Sequence, residues 1–219
     1  MGIENVFPVW DKLTESEKKL LRSSAVKRKV EKGRILHKNS DECLGMVIVT
    51  EGQLRAFVLS ESGREVTLFR LFELDFCLFT ASCVFSGIQF DVSVEVEKDT
   101  EFWLIPPNVY RDLMERSTAV ANYTNELMAS RFSEVMWLME QIMFKSFDKR
   151  LAAFLLEESN IENSDRLEMT HERIANHLGS AREVVTRMLK YFQNEGAVKL
   201  SRGAVEITDR KKLAEIAED

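Results

Sequence analysis

Apolar and polar positions change their period twice along the chain, and each change marks a new kind of element. Residues 13–22 (LTESEKKLLR) open on Thr14-x-x-Glu17, in which each side chain can satisfy a backbone N–H, so a short capped helix is expected. From about Val26 to Ile105 the texture turns β-branched and aromatic, as in MVIVTEGQLRAFVLSESGREVTLFRLF and FDVSVEVEKDTEFWLI. Gly52 and Gly63 stand where hairpin turns belong, and the spacing predicts a small antiparallel barrel or sandwich. Pro106-Pro107 ends this region, because proline cannot donate to a ladder and disfavours helix just before it.

A helical period then runs from about Val109 to Phe144, with a break near Ser117. Within it Ala121, Asn125, Met128, Phe132, Val135, Met139 and Ile142 recur at alternating spacings of four and three, the stripe of a two-stranded coiled coil. Asn122, Glu126 and Glu134 occupy other faces, so the stripe is assigned to a dimer seam; docking on the barrel is the alternative.

The remainder reads helix, helix, turn, helix, hairpin. RLAAFLLEE is a helix and SNIENSD a polar loop, Thr170 caps HERIANHL, and Gly179 stops it where a left-handed backbone is cheap. Ser180 starts SAREVVTRMLKYFQNEG, and AVKLS and AVEIT flank Arg202-Gly203 as a wing-like hairpin. Three parts are therefore expected: 1–107, 108–145 and 146–219.

Charge sharpens this division. The 219 residues carry a formal net charge of −6, which as a whole does not invite nucleic acid. Residues 180–202, however, hold Arg182, Arg187, Lys190, Lys199 and Arg202 against Glu183 and Glu195. Glu183, Thr186 and Arg187 fall on one helix face, as a helix lying in the major groove requires. Arg182 and Arg187 can donate in a fork to guanine, and Glu183 can accept from cytosine. Ser180-x-x-Glu183 is also a capping box, so a purely structural role for Glu183 stays open. Thr170, His171, Ser180, Lys199 and Arg202 stand where helix starts and a wing approach phosphates.

The stretch ERIANHLGSAREVVTRMLKYFQNEGAVKLSRGAVEIT resembles the winged helix-turn-helix of the Crp/Fnr family of bacterial transcription regulators. FKSFDKRLAAFLL is similar to the family's segment after its dimer helix, and KGRIL with TEGQLRAFVLSESGREVTLFRL to its cyclic-nucleotide-binding-like β-roll. The resemblance implies an α+β chain: an N-terminal double-stranded β-helix of jelly-roll type, a long dimerisation helix and a C-terminal winged helix-turn-helix. It also implies a homodimer bound to double-stranded DNA at a near-palindromic operator, with RNA polymerase as a further partner. Base reading falls to residues matching Glu183 and Arg187, and some members have an arginine at Arg182.

Family members that bind cyclic nucleotides hold the phosphate with an arginine followed by serine or threonine. Here the corresponding stretch is LDFCLFTASCVFSGIQFDVS, without an arginine from Leu71 to Tyr110 and with Phe90-Asp91 about where that pair belongs. An anionic phosphate would lose its bidentate partner and meet Asp91, so cyclic AMP is not the expected effector. The apolar character of residues 76–92 points instead to an uncharged or aromatic small molecule, with Phe76, Cys77, Phe79, Cys83, Phe90 and Val92 as its pocket, or to a side-chain-filled interior.

Cys77 and Cys83 could also form a redox pair. Cys43, Cys77 and Cys83 include no Cys-x-x-Cys, so neither a disulfide framework nor a zinc ribbon is expected, and no metal or cofactor is assigned. His37 is the one histidine of the β-rich region, too few for a metal-dependent cupin-type enzyme or secure haem ligation, and His177 is expected at a surface or turn. No P-loop, His-Glu-x-x-His or nucleophile elbow occurs, so catalysis is not expected, whereas an adaptor acting through protein contacts is a possible rival. Neither a signal peptide nor a membrane span is indicated, and a cytoplasmic location follows.

Overall fold

A computed structural model of the protein describes residues 1–37, 44–78, 80 and 92–218. Its contacts divide the chain into two units, Met1–Leu59 with Leu68–Val135, and Ser60–Thr67 with Met136–Asp219.

The first unit begins with the capped helix. Helix α1 (Glu15–Ser24) follows Thr14, whose Oγ1 accepts from the Glu17 N–H at 3.4 Å while the Glu17 carboxylate accepts from the Thr14 N–H at 2.7 Å. The β-rich stretch forms β1 (Val26–Val30), β2 (Ile35–His37), β3 (Met46–Leu59), β4 (Glu65–Leu71), β5 (Phe76–Cys77) and β6 (Ser93–Ile105). Strands β1, β2 and β3 all pair antiparallel with β6, β5 pairs with β3, and β4 adjoins β3.

Gly52 is not a hairpin turn. It lies inside the 14-residue β3 at an irregularity in the β3–β6 register, with φ +94, and a Cβ there would run into the Asp99 carbonyl. The extra backbone freedom lets β3 bend without ending, which sequence texture alone cannot distinguish from a turn.

Alternation along β3 separates two apolar clusters. Met46 and Ile48 join Phe76 and Ile105 beneath Phe7, Leu21, Tyr110, Leu113 and Val120. Val47 and Val49 instead join Leu54, Ala56, Leu71, Cys77, Val92, Val94, Val96 and Phe102. Phe76 and Cys77 are neighbours on β5 but enter different clusters, so the structure does not bring them to one lining. Phe79, Cys83, Phe90, Cys43 and Asp91 lie outside the described residues.

The first unit also buries charge. Arg55 is fully buried and its guanidinium donates to Glu95 at 3.2 Å, Arg70 lies 3.0 Å from Glu97, and the Gln53 amide donates to Glu97 at 2.7 Å.

Helices α2 (Pro107–Arg116) and α3 (Thr118–Phe144) are broken at Ser117, as the sequence suggests. Thr124 spends its hydroxyl proton on the Val120 carbonyl, so Tyr110 donates to Thr124 across 2.7 Å; burial pushes the Tyr110 phenol up to about 12.

In the second unit, α4 (Phe147–Glu162), β7 (Arg166–Leu167), α5 (His171–Leu178), α6 (Arg182–Asn194), β8 (Val198–Ser201), β9 (Ala204–Ile207) and α7 (Arg210–Glu218) enclose one core. Besides the short β7, which pairs with β9, two elements differ from the pattern expected. The SNIENSD segment is mostly helical, because Ser159 is buried and donates to Asp165 at 2.9 Å, and α4 ends only where Asn163 turns left-handed. The chain after the wing forms α7, whose Arg210 donates to Asn160 at 2.6 Å and also binds Asp165.

Segment Ser60–Thr67 belongs to this unit by its contacts, although the sequence reading assigned it to residues 1–107. Val66 forms a β-bridge with Leu178, and the Thr67 hydroxyl meets His177 Nδ1 at 2.9 Å. His177 is correspondingly 5% exposed, with its ring 5.2 Å from that of Phe154, and is not the surface residue expected.

Candidate nucleic-acid interface

Helix α5 starts where Thr170, in extended conformation, accepts from the Arg173 N–H at 3.2 Å. Ile174 and Ala175 anchor it in the core. At its other end Gly179 takes φ +66 and its N–H returns to the Ala175 carbonyl. Ser180 also donates its N–H to that carbonyl, at 3.0 Å. The tight left-handed turn then redirects the chain into α6.

The helix begins one residue later than expected. Ala181 is the N-cap and no side chain caps the helix, so Ser180 and Glu183 do not form the capping box that the sequence allowed. Glu183 is thereby left exposed in the first turn of α6.

Apolar spacing fixes which face of α6 is free. Val185, Leu189 and Phe192, at i, i+4 and i+7, are fully buried. Arg182, Glu183, Arg187 and Lys190 are exposed. A forked guanidinium, an ammonium and a carboxylate, from Arg187, Lys190 and Glu183, therefore stand on a helix whose opposite side is locked into the core, and Arg182 adds a second guanidinium from the first position of the helix.

Thr186 sits between the two helices. Its hydroxyl donates to the Arg182 carbonyl at 2.9 Å, and His171 Nδ1 lies 2.9 Å from the same oxygen. With the hydroxyl proton committed to Arg182, Nδ1 must donate, which fixes the neutral imidazole tautomer with its proton on Nδ1. Burial, then the Arg182 and Lys190 charges, hold the His171 imidazole below its ordinary value. The Thr186 oxygen is thus engaged within the motif, leaving the methyl group as its remaining recognition surface.

Lys199 and Arg202 are exposed on the wing. Lys199 faces Glu206 across β8 and β9, and Arg202 stands at the turn between them. Arg150 belongs to the motif without any sequence signature. From α4 its guanidinium donates to the Leu178 carbonyl at 3.2 Å and covers the Phe147 ring at 5.5 Å, supporting the end of α5. No local pattern announces such a contact, because its partners are 28 residues apart.

On α3, the stripe residues Phe132, Met139 and Ile142 are 67%, 48% and 43% exposed, and Asn125 is exposed as well. Ala121, Met128 and Val135 are half-buried, and Met128 packs against the first unit's core. Among the described residues no cluster of three His, Cys, Asp or Glu side chains could hold a metal ion, and no helix is long and apolar enough to cross a membrane.

Residues 27–117 match the model of the cyclic nucleotide-binding domain and residues 149–216 that of the Crp-like helix-turn-helix domain. A crystal structure from Eubacterium rectale ATCC 33656, described as a transcriptional regulator of the Crp/Fnr family, is 55% identical, superposes with a TM-score of 0.97 and covers 99% of this chain and 100% of its own. The chain belongs to the Crp/Fnr family. It is thus a Crp/Fnr-type transcription regulator, with a helix-turn-helix that implies DNA binding.

The Cyclic AMP receptor protein of Thermus thermophilus is 27% identical over 96% of both chains. The Fumarate and nitrate reduction regulatory protein of Vibrio cholerae serotype O1 is 26% identical over 87% of this chain and 78% of its own. Crp/Fnr relatives with differently named regulatory roles therefore stand at nearly equal distance from this chain.

Proposed function

We propose that the protein is a homodimeric, sequence-specific regulator in which α6 of each subunit enters a major groove of a near-palindromic site. The observation that carries this reading is the two-faced character of α6. Its core side is immobilised by Val185, Leu189 and Phe192, so the exposed guanidinium and carboxylate groups are presented from a rigid support. Arg182 and Arg187 read guanine, Glu183 reads cytosine, and Thr186 offers its methyl group to a thymine. Thr170, Ser180, Lys199 and Arg202 contact the backbone and set the register, joined by His171 through its main-chain N–H at the start of α5, since its ring proton is engaged with Thr186.

Dimerisation uses Ala121, Asn125, Met128, Phe132, Val135, Met139 and Ile142. The corresponding parts are a sensing region (1–107), a dimer helix (108–145) and a DNA-binding region (146–219). The protein acts in the cytoplasm with RNA polymerase and has no catalytic role.

We assign the response to a small molecule or a redox signal other than cyclic AMP, centred on the β-rich region with Cys77 and Val92. Two observations support a ligand other than cyclic AMP. No arginine occurs from Leu71 to Tyr110, and the arginines buried elsewhere in the first unit already face carboxylates: Arg55 with Glu95, Arg70 with Glu97 and Arg131 with Glu134. A cyclic phosphate would have to displace one of these pairs.

The test is selection of genomic fragments by the purified protein at one salt concentration, with and without reductant, followed by the same selection with Arg187→Ala. The wild type should enrich a palindrome. The variant should lose about 1–3 kcal/mol of discrimination at one base pair of each half-site. Unchanged specificity in the variant would remove α6 from the role assigned to it.

A further inference from the structure

Tyr191 is a large aromatic residue that the burial pattern of α6 does not explain. It is 52% exposed, and its hydroxyl meets no hydrogen-bond partner among the described residues. Its ring leans on that of Phe192, with centroids 6.1 Å apart and planes at 51°, and Phe192 is fully buried. The side chain is therefore braced from below with its polar tip toward solvent.

Its position on the helix gives that tip a direction. At about 100° per residue, Tyr191 lies within roughly 40° of Arg187 around the helix, on the side opposite Leu189. At about 1.5 Å per residue it stands roughly 12 Å along the axis from Glu183, comparable with the roughly 12 Å width of the major groove. When the first turns of α6 reach base edges, a residue eight positions on has arrived at the groove wall, where phosphates line the edge. Lys190, its neighbour, is exposed and cationic, which suits the same anionic wall.

We propose that Tyr191 is a DNA-backbone contact, its phenol O–H donating to a phosphate oxygen at the rim of the major groove. This rests on the reading that α6 enters that groove. A phenol at this place supplies a directional hydrogen bond without a charge, so it positions the helix but releases no counterion. It also carries no sequence information, unlike Arg187 one turn earlier.

The experiment compares full-length wild type, Tyr191→Phe and Lys190→Ala on two duplexes, one that the wild type selects from a random pool and one of unrelated sequence. Affinity is measured by fluorescence anisotropy across a salt series. Tyr191→Phe keeps the ring on Phe192, so its thermal unfolding should match the wild type. Its affinity should drop about tenfold on both duplexes alike, with an unchanged salt slope. Lys190→Ala should flatten that slope by about one. Wild-type affinity in Tyr191→Phe overturns the proposal, as does a loss confined to the selected duplex. If the wild type selects no sequence, the reading of α6 itself fails; selection by the wild type together with an unaffected Tyr191→Phe removes only the phosphate contact.

Discussion

The hydrogen-bonded pair of His171 and Thr186 shows how one side chain can join the two helices of the motif. His171 is held neutral by partial burial and by the Arg182 and Lys190 charges, while its Nδ1–H anchors the Thr186 hydroxyl. A depressed imidazole pKa means that the folded state binds fewer protons than the unfolded chain. Stability from this residue is complete above the ordinary histidine value of about 6.5 and drains away as the pH falls from there through the lower folded value. Urea unfolding followed from pH 8 to pH 5.5 should show a steeper acid loss in the wild type than in His171→Gln. Equal slopes would mean that neither burial nor those charges depress the His171 imidazole. Little of this was legible in the sequence: the spacing put Thr186 on a face with Glu183 and Arg187, but a contact spanning 15 residues is set by tertiary packing.

At the level of elements, the sequence is most readable where the local backbone leaves few choices. Thr14 and Thr170 cap α1 and α5, and Gly179 ends α5, as their residue types foretell. Gly52, the tail of α4 and α7 are not legible locally because a register irregularity with β6, the burial of Ser159 under Arg210 and the Arg210 contacts are all long-range causes. The readable positions give quantitative expectations. Thr170→Ala should cost about 1 kcal/mol, since the Arg173 N–H loses its side-chain acceptor. Gly179→Ala should cost more. The alanine must hold φ near +66, a penalty of about 1–2 kcal/mol, and its Cβ would also lie 2.6 Å from Val66 Cγ2, so that Val66 must shift. Denaturant midpoints of the two variants test the order. A Gly179→Ala protein as stable as wild type would mean that neither the left-handed turn nor the Val66 contact constrains this junction.

For the whole molecule, the proposed function turns on pairing of subunits, because one α6 per chain would read half of a palindrome. Helix α3 offers a surface for that pairing: Phe132, Met139 and Ile142 lie exposed on a single stripe, and large apolar groups left in water at such spacing favour a second helix over solvent. Met136 and Met143, 45% and 67% exposed, flank that stripe and widen it. Trp137 is 60% exposed yet lies about 140° around the helix from Phe132, well off that stripe. This separation allows a controlled test. Phe132→Glu would bring two carboxylates together across the dimer axis and remove two aromatic anchors, whereas Trp137→Glu places the same charge on another side. Sedimentation equilibrium should find the Phe132 variant monomeric at concentrations where wild type and the Trp137 variant remain dimers. On a selected palindrome the monomeric variant should bind with little more than half-site affinity, because the second contact is no longer intramolecular and its advantage of about 100-fold or more disappears. If both variants dimerise as the wild type does, the stripe is not the seam. If only the Trp137 variant dissociates, the interface lies on the other side of α3.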